Sequence, residues 1–149
     1  MGTIDQEIQS KFTDDKHRFL VNMMYTSGWL RNLFSSHLAP YDLSSQQFNI
    51  LRILRGANEW VAMNDVKVRM VEKAPNATRL ADKLLGKELI ERKRSENDRR
   101  VVYVRVTITG LALLKEIDDK LEMNPVDFTE HITMEEARVM SDILDKLRG

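Results

Sequence analysis

Apolar residues recur at helical spacing through most of the chain. The first such run predicts a long helix from Thr13 to Leu38, because residues three and four apart share one helix face. Its apolar positions are Phe19, Leu20, Met23, Met24, Leu30, Phe34 and Leu38. Pro40 disfavours continuation of this helix beyond Ala39.

A capping box marks the start of a second helix. The Ser44 hydroxyl can accept a backbone N–H of the first turn, while the Gln47 side chain reaches back to the Ser44 amide. The helix runs to about Arg55, and Gly56, Ala57 and Asn58 then end it. Its apolar face contains Phe48, Ile50, Leu51 and Leu54.

Two short helices follow, one from Met63 to Met70 and one from roughly Pro75 to Lys87. Pro75 suits a first turn, where the backbone N–H has no partner within the helix. A tight turn around residues 71–74 separates them. This arrangement is typical of a helix-turn-helix.

The period of the pattern then changes from helical to alternating. Residues 89–94 and 101–106 are predicted strands, and Val102, Val104 and Val106 share one face of the second strand. The polar connection at residues 95–100 contains the turn formers Ser95, Asn97 and Asp98. These segments predict a β-hairpin with a charged tip, called the wing below.

Two further helices complete the pattern. Thr107 caps the first, and Asn124-Pro125 closes it. Its apolar positions are Leu111, Leu114, Ile117 and Leu121. A second capping box, Thr133 with Glu136, opens the last helix. Its apolar positions are Ala137, Met140, Ile143, Leu144 and Leu147.

The order of elements predicts a mainly α (α+β) fold in one domain over residues 1–149. Residues 44–106 form its winged helix-turn-helix portion. The long helices at 13–38 and 107–149 lie outside that portion. A small winged domain cannot cover their apolar stripes, so a second copy of the chain is the simplest partner.

Composition narrows the class of protein. With 42% hydrophobic and 31% charged residues among 149, the chain can bury a core and is not expected to be disordered. It has no cysteine, which excludes a disulfide framework and a cysteine-ligated zinc. Residues 1–15 do not resemble a signal peptide, and no apolar run approaches the roughly 20 residues that span a bilayer. We expect a soluble cytoplasmic protein without a membrane partner.

The formal net charge of zero conceals a partition along the chain. Residues 67–110 carry 12 basic and 6 acidic side chains, a net of +6, whereas residues 1–66 carry −1 and residues 111–149 carry −5. A basic centre between acidic segments is typical of a protein with one face on a polyanion. An ordinary uneven solvated surface is the alternative.

The second helix of the helix-turn-helix holds the first set of candidate DNA contacts. In this motif the N-terminal residues of the second helix reach base edges in the major groove. The candidates for base contacts are Asn76, Ala77, Thr78 and Arg79. Lys83 and Lys87 follow Arg79 at helical spacing and suit phosphates. A plain solvated stripe is the alternative for the three cations.

The wing holds the second set of candidate DNA contacts. Its six cations are Arg92, Lys93, Arg94, Arg99, Arg100 and Arg105, and their mutual repulsion favours an anionic partner. An arginine at a hairpin tip can enter the minor groove of double-stranded DNA. Asp98 can hold a guanidinium by a charge-assisted hydrogen bond.

The sequence at this point resembles the MarR family of bacterial transcriptional regulators. The family's wing motif, Asp-x-Arg followed by a hydrophobic strand and Thr-x-x-Gly, corresponds to residues 98–110. Residues 78–84 are similar to its recognition helix and residues 89–92 to the entry of its wing. The resemblance implies a homodimer held by the terminal helices, which binds a pseudo-palindromic operator, usually as a repressor. It also implies that Arg100 enters the minor groove.

Two positions depart from the family pattern. Glu88 stands where the family usually has a glycine before the first wing strand, with Gly86 two residues earlier, so the turn there can differ. Ala62-Met63 stands where the helix-turn-helix commonly opens with a polar cap. Neither change affects the candidate DNA contacts.

Other functions are disfavoured. No Gly-x-Ser-x-Gly or phosphate-loop motif is present, so we expect no enzyme, no catalytic residue and no cofactor. His131 and Glu135 are spaced to touch a metal, but a surface pair is the simpler interpretation and no metal site is expected. A winged-helix protein-interaction module that binds no DNA is the alternative function.

The resemblance further implies a small lipophilic or aromatic effector bound near the dimer interface. Tyr25, Trp29 and Phe48 are candidates to line its pocket. Packing of that interface is the alternative role for each of the three.

Overall fold

The structure is a computed structural model that describes residues 2–9, 11–122 and 128–149. Its α-helices are α1 (Ile4–Ile8), α2 (Asp15–Leu38), α3 (Ser45–Ala57), α4 (Met63–Arg69), α5 (Ala77–Gly86), α6 (Ile108–Glu122) and α7 (Met134–Arg148). Its strands are β1 (Val61–Ala62), β2 (Ile90–Arg94) and β3 (Val102–Val106). Short 3₁₀ turns occupy Ala39–Tyr41 and Phe128–His131.

The long N-terminal helix forms as predicted, with a shorter helix before it. Asp14 caps α2 by accepting the backbone N–H of His17 at 2.8 Å, so the helix begins two residues after Thr13. It ends at Leu38, immediately before the 3₁₀ turn that contains Pro40. The pattern did not predict α1, because five residues are too few to show a helical period.

The capping box of α3 is confirmed. The Ser44 hydroxyl accepts the N–H of Gln47 at 3.1 Å, and the Gln47 side chain accepts the Ser44 N–H at 3.0 Å. The helix extends to Ala57, and Asn58 ends it in the left-handed conformation. Its residues Ile50, Leu51 and Leu54 are fully buried, so α3 lies at the centre of the core.

The helix-turn-helix is confirmed, with helix boundaries shifted by one or two residues. Helix α4 ends at Arg69 and α5 begins at Ala77, two residues after the predicted start. Asn76 is the N-cap residue of α5, and Pro75 therefore lies before the helix.

The wing is confirmed and belongs to a larger sheet. Strands β2 and β3 pair antiparallel from Ile90 opposite Val106 to Arg94 opposite Val102. The other edge of β3 pairs with β1, giving the order β1-β3-β2. The two-residue β1 was missed, because so short a segment has no detectable alternation. Burial alternates along β3 as predicted, with Val104 and Val106 buried.

The described residues form two compact units, the first ending at Leu114 and the second beginning at Lys115. The first unit contains the helix-turn-helix and the wing. In the second unit the capping box of α7 is confirmed, since the Thr133 hydroxyl accepts the N–H of Glu136 at 3.2 Å. The predicted helix end at Asn124-Pro125 and the side chain of Leu121 lie outside the described residues.

Candidate nucleic-acid interface

Helix α5 presents one polar face to solvent. Its buried residues are Ala77, Leu80, Ala81 and Leu84. The residues between them, Thr78, Arg79 and Lys83, are exposed, as is Asn76. These four residues are therefore accessible to a ligand as large as DNA.

Ala77 is a correction to the predicted contacts. It is 0% exposed, because it lies on the buried face of α5 together with Leu80 and Ala81. A methyl group in this position packs in the protein core and cannot reach a thymine methyl.

Lys87 is a second correction. Its ammonium group lies 2.8 Å from the Asp42 carboxylate and also donates to the Asp42 carbonyl oxygen. The hydrogen bond from Lys87 lowers the pKa of Asp42 below its ordinary value, so the Asp42 carboxylate is ionised at neutral pH. Lys87 thus ties the end of α5 to the turn between α2 and α3, and it is not an unoccupied phosphate ligand.

Two of the six wing cations form ion pairs inside the protein. Arg92 pairs with Asp82 of α5 at 2.6 Å, and Arg105 pairs with Glu91 on the neighbouring strand at 2.5 Å. Their charges are therefore balanced within the protein, which reduces the repulsion predicted for the wing. Arg92 instead joins the base of the wing to the recognition helix.

Trp60 lies against two of the wing cations. The Lys93 ammonium is 4.4 Å and the Arg105 guanidinium 4.7 Å from the centre of its ring. Such contacts are attractive, because the face of an aromatic ring carries negative charge. The sequence pattern gave no sign of this role for Trp60, because its partners lie more than 30 residues away along the chain.

The remaining cations are exposed and available. Within the described parts of the chain, the side chains of Arg79, Lys83, Arg94, Arg99 and Arg100 form no hydrogen bond or ion pair. They occupy the solvent face of α5 and the outer end of the wing. These five positions are the part of the predicted basic surface that an external anion can meet.

The wing tip is held by its own backbone. The Asp98 carboxylate accepts the backbone N–H of Arg100 at 3.0 Å, where sequence analysis expected it to bind a guanidinium. Ser95 also closes the turn, since its N–H donates to the Val101 carbonyl at 2.9 Å. This arrangement leaves the Arg99 and Arg100 side chains exposed at the tip.

A groove between α4, α5 and the wing brings several candidates together. Thr78, Arg92 and Arg100 line it, together with Asn64 and Lys67 of α4. Sequence analysis did not single out Asn64 or Lys67, although Lys67 opens the basic segment. Residues from three separate elements thus border one concave surface.

The junction between α5 and β2 explains both the wing motif and one departure from it. Glu88 has a φ of +59°, a conformation that favours glycine. The Thr107 hydroxyl donates to the Glu88 carbonyl at 2.7 Å and accepts the Gly110 N–H at 3.0 Å. A Cβ at Gly110 would collide with the Leu89 carbonyl oxygen, so the Thr-x-x-Gly sequence permits α6 to lie close to this turn.

The second departure from the family pattern lies at the start of α4. Ala62 is the N-cap residue of α4 and makes no capping hydrogen bond with its side chain.

Tyr25 and Trp29 line one cavity beside α1, whereas Phe48 lines a different groove between α2 and α3. Within one chain the three aromatic residues therefore line two separate cavities.

The described residues contain no cluster of three or more potential metal ligands. Glu135 pairs with Arg138 at 2.6 Å. Among the described helices, none combines the length and the apolar character needed to cross a membrane.

Known proteins are similar to this chain in sequence and in fold. A family model described as "Transcriptional regulator SarA/Rot" matches residues 32–117. The multiple antibiotic resistance protein MarR of Salmonella typhimurium is 29% identical over 116 residues, which cover 77% of this chain and 80% of that protein. The matching family model is thus that of a transcriptional regulator.

Solved structures give the same fold. A MarR-like transcription regulator of Bacillus cereus superposes with a TM-score of 0.76 at 20% identity, over 90% of this chain and 96% of that one. A MarR variant of E. coli in complex with operator DNA superposes with a TM-score of 0.69 at 24% identity, over 86% and 92% respectively. The chain therefore belongs to the family of transcriptional regulators described as SarA/Rot, and it is similar to MarR proteins in sequence and in its winged helix-turn-helix fold.

Proposed function

We propose that the protein is a homodimeric repressor that binds a pseudo-palindromic operator in double-stranded DNA and is released by a small effector. The observation that carries the DNA-binding part is the set of exposed, unpaired cations on α5 and the wing tip. In this proposal the protein acts on bacterial chromosomal DNA, and hence in the cytoplasm. The MarR variant in complex with operator DNA supports the proposal by analogy of fold.

Each available residue has a distinct role in this proposal. Asn76 and Thr78 read base edges in the major groove, because both are exposed at the N-terminus of α5. Arg79 supplements them, and Lys83 binds a phosphate further along the helix. Arg100 enters the minor groove from the wing tip, and Arg94 and Arg99 contact the DNA backbone beside that groove.

The homodimer is proposed from the exposed apolar residues of the terminal helices. In the first unit, Met24 of α2 is 68% exposed. In the second unit, Met140, Ile143 and Leu147 of α7 are 52%, 47% and 52% exposed. Burial of these side chains against a second copy would remove them from water and place two recognition helices in successive major grooves, about 34 Å apart.

Selection of bound fragments from random DNA, followed by fluorescence anisotropy at several salt concentrations, tests this function. We expect one palindromic sequence to be enriched, with an affinity that falls steeply as salt increases. Absence of binding to any fragment at low salt, including DNA upstream of the protein's own gene, would contradict the proposal. It would favour a winged-helix module that binds another protein.

A further inference from the structure

A cavity of about 180 Å³ lies where α1 packs on α2. The residues that line it are Gly2, Ile4, Glu7, Asn22, Tyr25, Thr26 and Trp29. It therefore combines one carboxylate with two large aromatic side chains. The proposed DNA interface uses none of these residues.

Specific contacts hold α1 in place and so build the cavity. Ile4 is only 5% exposed. The Asp5 carboxylate accepts hydrogen bonds from the Arg18 guanidinium at 2.7, 3.0 and 3.2 Å. Because the Arg18 guanidinium is bound to Asp5, its charge is not directed at Glu7.

The Glu7 carboxylate is held in the ionised form. It accepts the Gly2 N–H at 2.8 Å and the Tyr25 hydroxyl at 3.0 Å. Both hydrogen bonds lower the pKa of Glu7 below its ordinary value, and the bond from Gly2 has the larger effect. The hydrogen bond that Tyr25 donates also places its ring directly beside the negative charge.

The chemistry of this lining selects a cation. Aromatic faces attract cations and recognise quaternary ammonium groups in particular, and a neighbouring carboxylate adds to the attraction. Among the described residues that line the cavity, none carries a positive charge. An aromatic acid, the class of effector considered from the sequence, would meet the Glu7 carboxylate and be repelled.

We infer that this cavity binds a small organic cation of the quaternary ammonium class through Glu7, Tyr25 and Trp29. Binding of the cation stands on the cavity alone. Its role as the effector that releases DNA rests on the proposed function.

Choline and its uncharged isostere 3,3-dimethyl-1-butanol provide a matched pair of probes, because they differ in the charge at one atom. Each is titrated into the full chain without DNA, and the two indole N–H signals are followed by NMR. We expect choline to shift the Trp29 signal and to bind at least about tenfold more tightly than the alcohol. Trp60 lies against the wing, away from the cavity, and serves as the internal control with an unchanged signal.

Two variants separate charge from structure. Glu7→Gln keeps a hydrogen-bond acceptor but removes the charge, and should reduce the preference for choline to less than about twofold. Glu96→Gln at the wing tip removes the same charge elsewhere and should retain the preference. Tyr25→Phe retains the ring without the hydroxyl and should still bind choline. That result would show that the hydrogen bond from Tyr25 to Glu7 of α1 is not the source of the selectivity.

Equal binding of the two probes, or no shift of the Trp29 signal with choline, would overturn the inference. So would an unchanged preference in Glu7→Gln. Since none of these measurements uses DNA, their failure leaves the proposed function standing. Conversely, a protein that binds choline but no DNA would refute the proposed function alone.

Discussion

At the scale of single residues, burial and local partners decide which side chains can meet DNA. Ala77 and Thr78 are neighbours at the start of α5, yet one is fully buried and the other exposed. Arg92 and Arg100 line the same groove, but only Arg92 has a carboxylate partner in the protein. The exposed Thr78 and Arg100 are consequently the sharper candidates.

Substitution of Arg100 by alanine should weaken operator binding by about 1–3 kcal/mol, because a guanidinium in the minor groove is lost. Fluorescence anisotropy at physiological salt measures the change. Arg148→Ala, which removes an exposed cation of α7, is the matched control and should leave the affinity unchanged. Equal effects of the two substitutions would contradict the role of the wing tip.

Substitution of Thr78 by alanine should relax base preference at one operator position by about 1–3 kcal/mol. Lys83→Ala should instead weaken specific and random DNA alike and reduce the slope of log affinity against log salt by about one. Titration of single-base operator variants and a salt series distinguish the two effects. If Thr78→Ala lowered the affinity for all sequences equally, its assignment to base contact would be wrong.

Glu88 offers a test of backbone strain. Because its φ of +59° is unfavourable for a residue with a Cβ, Glu88→Gly should raise the free energy of unfolding by up to about 1 kcal/mol. Chemical denaturation measures this change. Glu96→Gly is the control, since Glu96 lacks a positive φ and should gain no stability.

At the scale of elements, the wing is attached to the body of the protein by side chains that the sequence presents as DNA ligands. The Arg92–Asp82 pair connects β2 with α5, and Trp60 holds Lys93 and Arg105 on the sheet. Solvent screens such pairs, so each contributes modestly to stability. Together these contacts fix the position of the wing relative to the recognition helix.

Replacement of Trp60 by leucine should loosen this attachment. We expect faster hydrogen exchange at the amides of β2 and weaker DNA binding, with the helices intact, because two cation–π contacts are lost. Trp60→Phe keeps an aromatic face and should restore most of the affinity. An identical loss in both variants would exclude the cation–π contacts as the cause.

At the scale of the whole molecule, charge is distributed according to the proposed functions. The basic segment 67–110 contains the helix-turn-helix and the wing, whereas residues 111–149, which are proposed to dimerise, carry a net charge of −5. A neutral total is therefore compatible with DNA binding, since phosphates would meet only the basic segment. The acidic segment would lie away from the phosphates.

Dimerisation through α7 predicts that Ile143→Asp produces monomers, because a carboxylate cannot be buried unpaired in an apolar interface. Sedimentation velocity measures the oligomeric state, and operator affinity should fall with it. Ser141→Asp adds the same charge at an exposed polar position of α7 and is the control. A dimeric Ile143→Asp protein would place the interface elsewhere.

The sequence by itself determined the helices, the hairpin and the family resemblance, because these depend on local periodicity, capping residues and turn formers. The capping boxes at Ser44 and Thr133 show this, since each is a contact between residues three apart. It also located the basic segment. It could not detect β1 or α1, which are too short to have a period.

Only the tertiary structure decided which of the predicted site residues are available. Lys87 meets Asp42 across 45 residues, and Trp60 meets Arg105 across a similar distance. Spacing along the chain contains no signal for such contacts, because folding alone brings the partners together. The same holds for Glu7 and Tyr25, whose contact forms the proposed cation site.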